Sequence, residues 1–352
     1  QAFDGGGIAF GVLDPGPGAQ PLGEAGRDLA TLAGAACTGA LIWIVTTATP
    51  RDDGRIDAGS FPAHLFVERV AILWTCCATA MVVVSASADA GIPLGRLVGG
   101  PGLGSAIAAS EAARGWCAAA ICALALAVGV RFTLRWVGHC VALLPTLIGV
   151  VAVPVTGNAG QGPDHDIATS AVIVFSVTLA MWTGTKIVAA GSLDDEPRRR
   201  IQLLQVICGA VTVIYGALLA TLMLGGSPIL GSAYGRAVLV AGVLLVLVWA
   251  GDGAHLLTRR TPTRLANTMS AVAIIVVTAA LAFASTSVPP RFTIHEFSTW
   301  DVFLGYQLDA PPSPLSLITE WRFDPLIGTA AIVLALGYLY AAARLRRRGD
   351  HW

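Results

Sequence analysis

Residues 236–256 read RAVLVAGVLLVLVWAGDGAHL, and from Ala237 to Gly251 no side chain carries a charge. A helix needs about 20 mostly apolar residues to cross roughly 30 Å of hydrocarbon, and in a helix every backbone polar group is satisfied within its own segment. The stretch therefore predicts a membrane span. The same pattern recurs at 27–49, 66–88, 112–130, 136–154, 167–190, 201–224, 265–286 and 326–343. Hydrophobic residues make up 55% of the 352-residue chain and charged residues 12%, and the mean hydropathy is +0.71. One soluble core could not hide that much apolar surface. The expected fold is all-α: a polytopic membrane helix bundle of about nine transmembrane helices, with the lipid bilayer as its first partner.

Basic residues near span ends favour the cytoplasmic side. Placing the connections around 50–65, 131–135, 191–200 and 257–264 and the C-terminal tail in the cytoplasm puts sixteen Lys and Arg there, against six opposite. The N terminus is then outside and the C terminus cytoplasmic, in a multi-pass protein of the cytoplasmic membrane. Thirteen of the 22 carboxylates fall outside by the same assignment, an acidic surface that could attract cations or simply mark topology. No basic face interleaved with aromatics points to nucleic acid. The chain begins at Gln1 with a Gly- and Pro-rich stretch over 1–25, as a removed signal or a missing first helix would leave it. Residues 89–111 read as a re-entrant or interfacial segment, and the proline-rich 287–325 as an extracytoplasmic linker.

All seven cysteines fall inside expected spans, without CxxC spacing, so neither a disulfide framework nor a zinc knuckle is indicated. Cys37, Cys76, Cys77 and Cys122 share mid-membrane depth on three helices. Soft thiolates at one level suit a copper(I) path; packing as small apolar side chains is the simpler account. His165 stands between Asp164 and Asp166 at the mouth of the fifth span. That trio fits a metal ligand set, or a loop histidine beside a helix-capping aspartate. His139 and Cys140 adjoin on the fourth span. Asp252 and His255 share one face of the seventh. Lys186, the only lysine, lies about a turn from the end of the fifth span. Snorkelling to the interface is its expected role, with a pairing to Asp252 as the sharper alternative. No nucleophile–base set, carboxylate pair or phosphate loop indicates an enzyme.

Leu304-Gly305-Tyr306, Pro311-Pro312, Thr319-Glu320-Trp321-Arg322-Phe323-Asp324-Pro325-Leu326 and Arg344-Leu345-Arg346-Arg347-Arg348-Gly349-Asp350-His351-Trp352 succeed one another at set spacing. This resembles the linker and opening helix of a CtaG-type cytochrome c oxidase assembly domain, which actinobacterial proteins fuse behind a copper-resistance protein D (CopD) domain. Asp14-Pro15-Gly16, Thr156-Gly157-Asn158-Ala159, His165-Asp166, Trp182-Thr183-Gly184, Tyr234-Gly235-Arg236 and Arg259-Arg260 resemble the CopD part. The resemblance implies a CopD-like eight-helix domain over 1–286, the linker, and the first CtaG-like helix over 326–352, with the remainder of that domain absent. It also implies copper as cargo, and cytochrome c oxidase or its assembly factors as partners. The alanine- and arginine-rich composition is compatible with a high-GC actinobacterium.

The departures from the pattern matter. Asn158 and Phe175 stand where the family usually has histidines, and Ala241 stands near its usual lysine. Asn and Phe offer copper neither imidazole nor thiolate. Of the expected metal residues His165, Asp164, Asp166, Cys76, Cys77 and Cys122, only His165 belongs to the family's histidine cluster. The readings left open are copper transport or delivery for oxidase assembly, a non-transporting scaffold subunit of a larger membrane complex, and a transporter of another solute.

Overall fold

The computed structural model describes residues 19–157, 165–191, 198–258, 263–286 and 289–290. These residues form ten α-helices and no named strand. In chain order the helices are α1 (Ala19–Thr47), α2 (Phe61–Ala90), α3 (Leu94–Val98), α4 (Leu103–Ala109), α5 (Glu111–Arg131), α6 (Trp136–Ala152), α7 (His165–Gly191), α8 (Arg198–Leu224), α9 (Ala233–Leu257) and α10 (Arg264–Thr286). Seven helical segments among the described residues are long and apolar enough to cross a membrane. They coincide with the first seven expected spans. Within α10 the apolar stretch is shorter, Leu265–Leu281. The expected ninth span at 326–343 and the 287–325 linker lie outside the described residues, apart from 289–290. The protein is an all-α, polytopic helical membrane bundle.

Local chemistry sets the helix ends. Pro62 in the first turn of α2 supplies a fixed φ and lacks only an N–H that has no intrahelical acceptor anyway. That helix stops at Gly91, whose φ of 63° is left-handed. Ser110 and Ser232 cap α5 and α9 by accepting from the backbone N–H of Ala113 and Gly235, each at 2.9 Å. Residues 89–110 hold the two short helices α3 and α4, both packed on α2, where a re-entrant or interfacial segment is expected.

Two helix groups build the bundle. One apolar cluster joins α1, α2, α5 and α6 around Trp74, Trp116, Trp136 and Leu143. A second joins α7, α8, α9 and α10 around Trp182, Leu245, Ile274 and Val277. Helix α1 packs against α2, α6, α7 and α10 and so links the groups. At its crossing with α7 no side chain intervenes. A Cβ built on Gly39 would lie 1.9 Å from the Gly184 carbonyl carbon, and one on Gly184 would lie 1.9 Å from the Ala35 carbonyl oxygen. Small residues at such crossings let backbones approach closely in membranes. Large apolar side chains such as Ile121, Val141, Ile214 and Leu247 cover the outside of the bundle, as expected of a surface solvated by lipid.

Candidate functional site

Charged groups deep in an apolar bundle are the first place to look for function. On α7, Lys186 is 1% exposed, and on α9 Asp252 is 5% exposed. The Lys186 ammonium donates to Asp252 Oδ1, while the Trp182 indole N–H donates to Oδ2 at 2.8 Å. Trp182 and Lys186 are four residues apart, one helical turn, so one face of α7 clasps both oxygens. Gln205 of α8 donates to Thr185 Oγ1 at 3.3 Å, adding a third helix to the buried polar layer. The expected snorkelling of Lys186 is therefore corrected. An anion on α9 satisfies its charge inside the bundle, which removes the reason to reach the interface. Beside this pair a cleft of about 270 Å³ opens between α9 and α10, with His255, Asn267 and Ser270 completing its polar wall.

Two glycines of the quoted motifs have structural reasons. In Trp182-Thr183-Gly184 the tryptophan holds Asp252 and the glycine makes the α1 crossing. In Tyr234-Gly235-Arg236, a Cβ on Gly235 would sit 2.0 Å from the Ile229 carbonyl oxygen.

A second buried cluster lies where α2 and α6 begin. The intervening loops are tied together there: Ile56 N–H donates to the Leu134 carbonyl and Trp136 N–H to the Gly54 carbonyl. His139 is fully buried and His64 is 4% exposed. His139 Nδ1 lies 2.9 Å from the Arg135 carbonyl oxygen, and its Nε2 lies 3.0 Å from His64 Nδ1. A carbonyl only accepts, so Nδ1 of His139 carries the proton, and the neutral ring keeps a lone pair on Nε2. His64 Nδ1–H donates to that lone pair. The carbonyl thus orients His139 as backbone carbonyls orient metal-bound imidazoles. Two bonds of about 2.0–2.1 Å to one tetrahedral ion would separate the nitrogens by roughly 3.3 Å. The observed separation is a few tenths short of that. A small opening, with the His64 proton moved to Nε2, would admit an ion between the rings.

Of the metal residues expected from sequence, the described cysteines Cys76, Cys77 and Cys122 do not gather into one ligand set. Asp164 lies outside the described residues; His165 and Asp166 open α7, and only their backbone is described. Cys76 is exposed on α2, Cys77 is half-buried, and half-buried Cys122 on α5 faces Gly149 of α6. No group of three or more His, Cys, Asp or Glu side chains gathers as a ligand set among the described residues. Phe175, at an expected histidine position, packs against Gly216 of α8, and Ala241 is buried in the α7–α10 core.

Sequence reasoning missed His64 because the second span is expected to begin at residue 66. The proline at position 62 was the available signal, since it marks a helix start and carries His64 into the same end of the bundle as His139.

No family model and no solved structure matches the chain. It is similar to uncharacterized proteins of Mycobacterium bovis (strain ATCC BAA-935 / AF2122/97) and Mycobacterium tuberculosis (strain CDC 1551 / Oshkosh), each 48% identical over 326 residues. Those matches cover 92% of this chain and 49% of each relative. An uncharacterized protein of Mycobacterium leprae (strain TN) is 45% identical over 347 residues, 98% of this chain and 52% of the relative. The chain spans about half the length of the curated relatives it matches.

Proposed function

We propose that the chain is a copper-handling membrane protein of the CopD–CtaG type, transporting or delivering copper in support of cytochrome c oxidase assembly. The observation that carries this reading is the His64–His139 pair, two buried imidazoles from α2 and α6 with one lone pair already fixed by the Arg135 carbonyl. Imidazole suits copper. The length of the relatives supports the same reading. The match to the Mycobacterium leprae protein takes in 98% of this chain and 52% of that relative.

The proposed topology has nine spans, the N terminus outside and the C terminus in the cytoplasm of a cytoplasmic-membrane protein. His64 and His139 then lie at the cytoplasmic end of the bundle, where a delivered ion would leave it. The role is transport or delivery rather than catalysis, with oxidase assembly factors as partners. In cells grown at limiting copper, His64→Ala/His139→Ala in the full chain should lower assembled oxidase, read from its haem absorbance, while total copper in the medium stays constant. Full assembly in that variant contradicts the reading.

A scaffold role is the second reading. It is favoured by the absence of a three-ligand group among the described residues and by Phe175 in place of a ligand. A stoichiometric protein partner retained in mild detergent, without metal, would select it.

A further inference from the structure

The cleft between α9 and α10 carries spare hydrogen-bonding capacity that the bundle itself does not use. Asp252 has a donor on each oxygen, but the Lys186 ammonium gives only one of its three protons to that partner. Asn267 is 8% exposed, and no described residue hydrogen-bonds its side-chain amide. The Ser270 hydroxyl and the His255 ring, in the same wall, are likewise without partners among the described residues. The Asn267 amide, the Ser270 hydroxyl and the His255 ring thus line the cleft with hydrogen-bonding capacity left for something that enters. Asp252 balances the charge of Lys186, and the spare N–H groups of the ammonium call for an acceptor-rich group.

Polarity along the cleft indicates what that acceptor group is attached to. Helix α9 ends at Leu257 and α10 begins at Arg264, so the two helices double back on each other. Asp252, His255, Asn267 and Ser270 lie at the end near this connection, and Leu244, Leu247, Val248 and Ala273 lie further in. Leu247 and Met269, on the rim, are 62% and 65% exposed. A polar end near the helix termini leading to an apolar end toward mid-bundle matches the order of a lipid in one leaflet.

We propose that this cleft binds a phosphate-bearing lipid, with phosphate oxygens accepting from Lys186, Asn267 and Ser270 and an acyl chain laid along Leu244, Leu247 and Ala273. The site is separate from the histidine pair and does not depend on metal.

Native mass spectrometry of the full chain, purified in a detergent without phosphate, provides the test. The probes are phosphatidylglycerol, diacylglycerol with the same chains, and inorganic phosphate. Phosphatidylglycerol should be retained about tenfold more tightly than diacylglycerol, and Asn267→Leu/Ser270→Ala should abolish that margin. Leu247→Trp, which fills the apolar end and leaves every polar group in place, should weaken retention as well. Equal retention of the two lipids overturns the proposal, as does unchanged binding in both variants. Displacement by inorganic phosphate overturns it in favour of a free-anion site.

Discussion

Replacing Asp252 by alanine is expected to lower the unfolding free energy by about 3–5 kcal/mol, the range for breaking a buried ion pair from one side. The Lys186 ammonium would remain 1% exposed with no anion, and the Trp182 indole N–H would lose its acceptor. Replacing both partners, as Lys186→Met/Asp252→Leu, removes the stranded charge and should cost far less than either single change, leaving mainly the unpaired indole. The contrast separates a charge pair from generic packing. Denaturant titration in detergent, followed by far-UV circular dichroism, measures all three variants. A double variant as unstable as Asp252→Ala would sink this account of the buried layer.

Gly184→Val is expected to be at least as damaging, because it attacks the joint between the two helix groups. Even the Cβ of valine would lie 1.9 Å from the Ala35 carbonyl oxygen, and the opposing Gly39 backbone is nearly as close. Nothing flexible lies at that contact, so α1 and α7 must separate along their crossing. Overpacking a core costs about 1–3 kcal/mol, and more where backbone must move. The expected result is loss of monodisperse protein in detergent, with Gly39→Leu behaving alike. Gly242→Ala is the control. A Cβ there meets nothing within 4 Å, and alanine favours the helix by roughly 0.8–1 kcal/mol over glycine. If Gly184→Val elutes and melts like that control, the crossing is not as close as described.

Much of the architecture could be read from charge-free runs such as 237–251, since only length and polarity decide a span. Neighbour relations could not. Lys186 and Asp252 lie at compatible depths, but pairing them requires knowing that α7 and α9 both pack on α8 and α10, which no local pattern encodes. Depth also misled the cysteines: Cys76 and Cys122 share a level, yet Cys76 points to the outside of the bundle and Cys122 toward α6. His64 was hidden for a different reason. Hydropathy averages place a helix start where apolar residues begin, whereas α2 starts at Phe61 with a polar first turn set by proline chemistry. The asparagine and leucine positions lining the α9–α10 cleft became meaningful only once two helices were seen to face each other.

Copper(I) binding by the full chain, purified anaerobically and titrated against a competing chelator, tests the copper reading most directly. Near-stoichiometric copper that is lost in His64→Ala and in His139→Ala, and retained in His255→Ala, is the predicted result. No binding tighter than buffer controls, or binding that survives loss of both histidines, would contradict it.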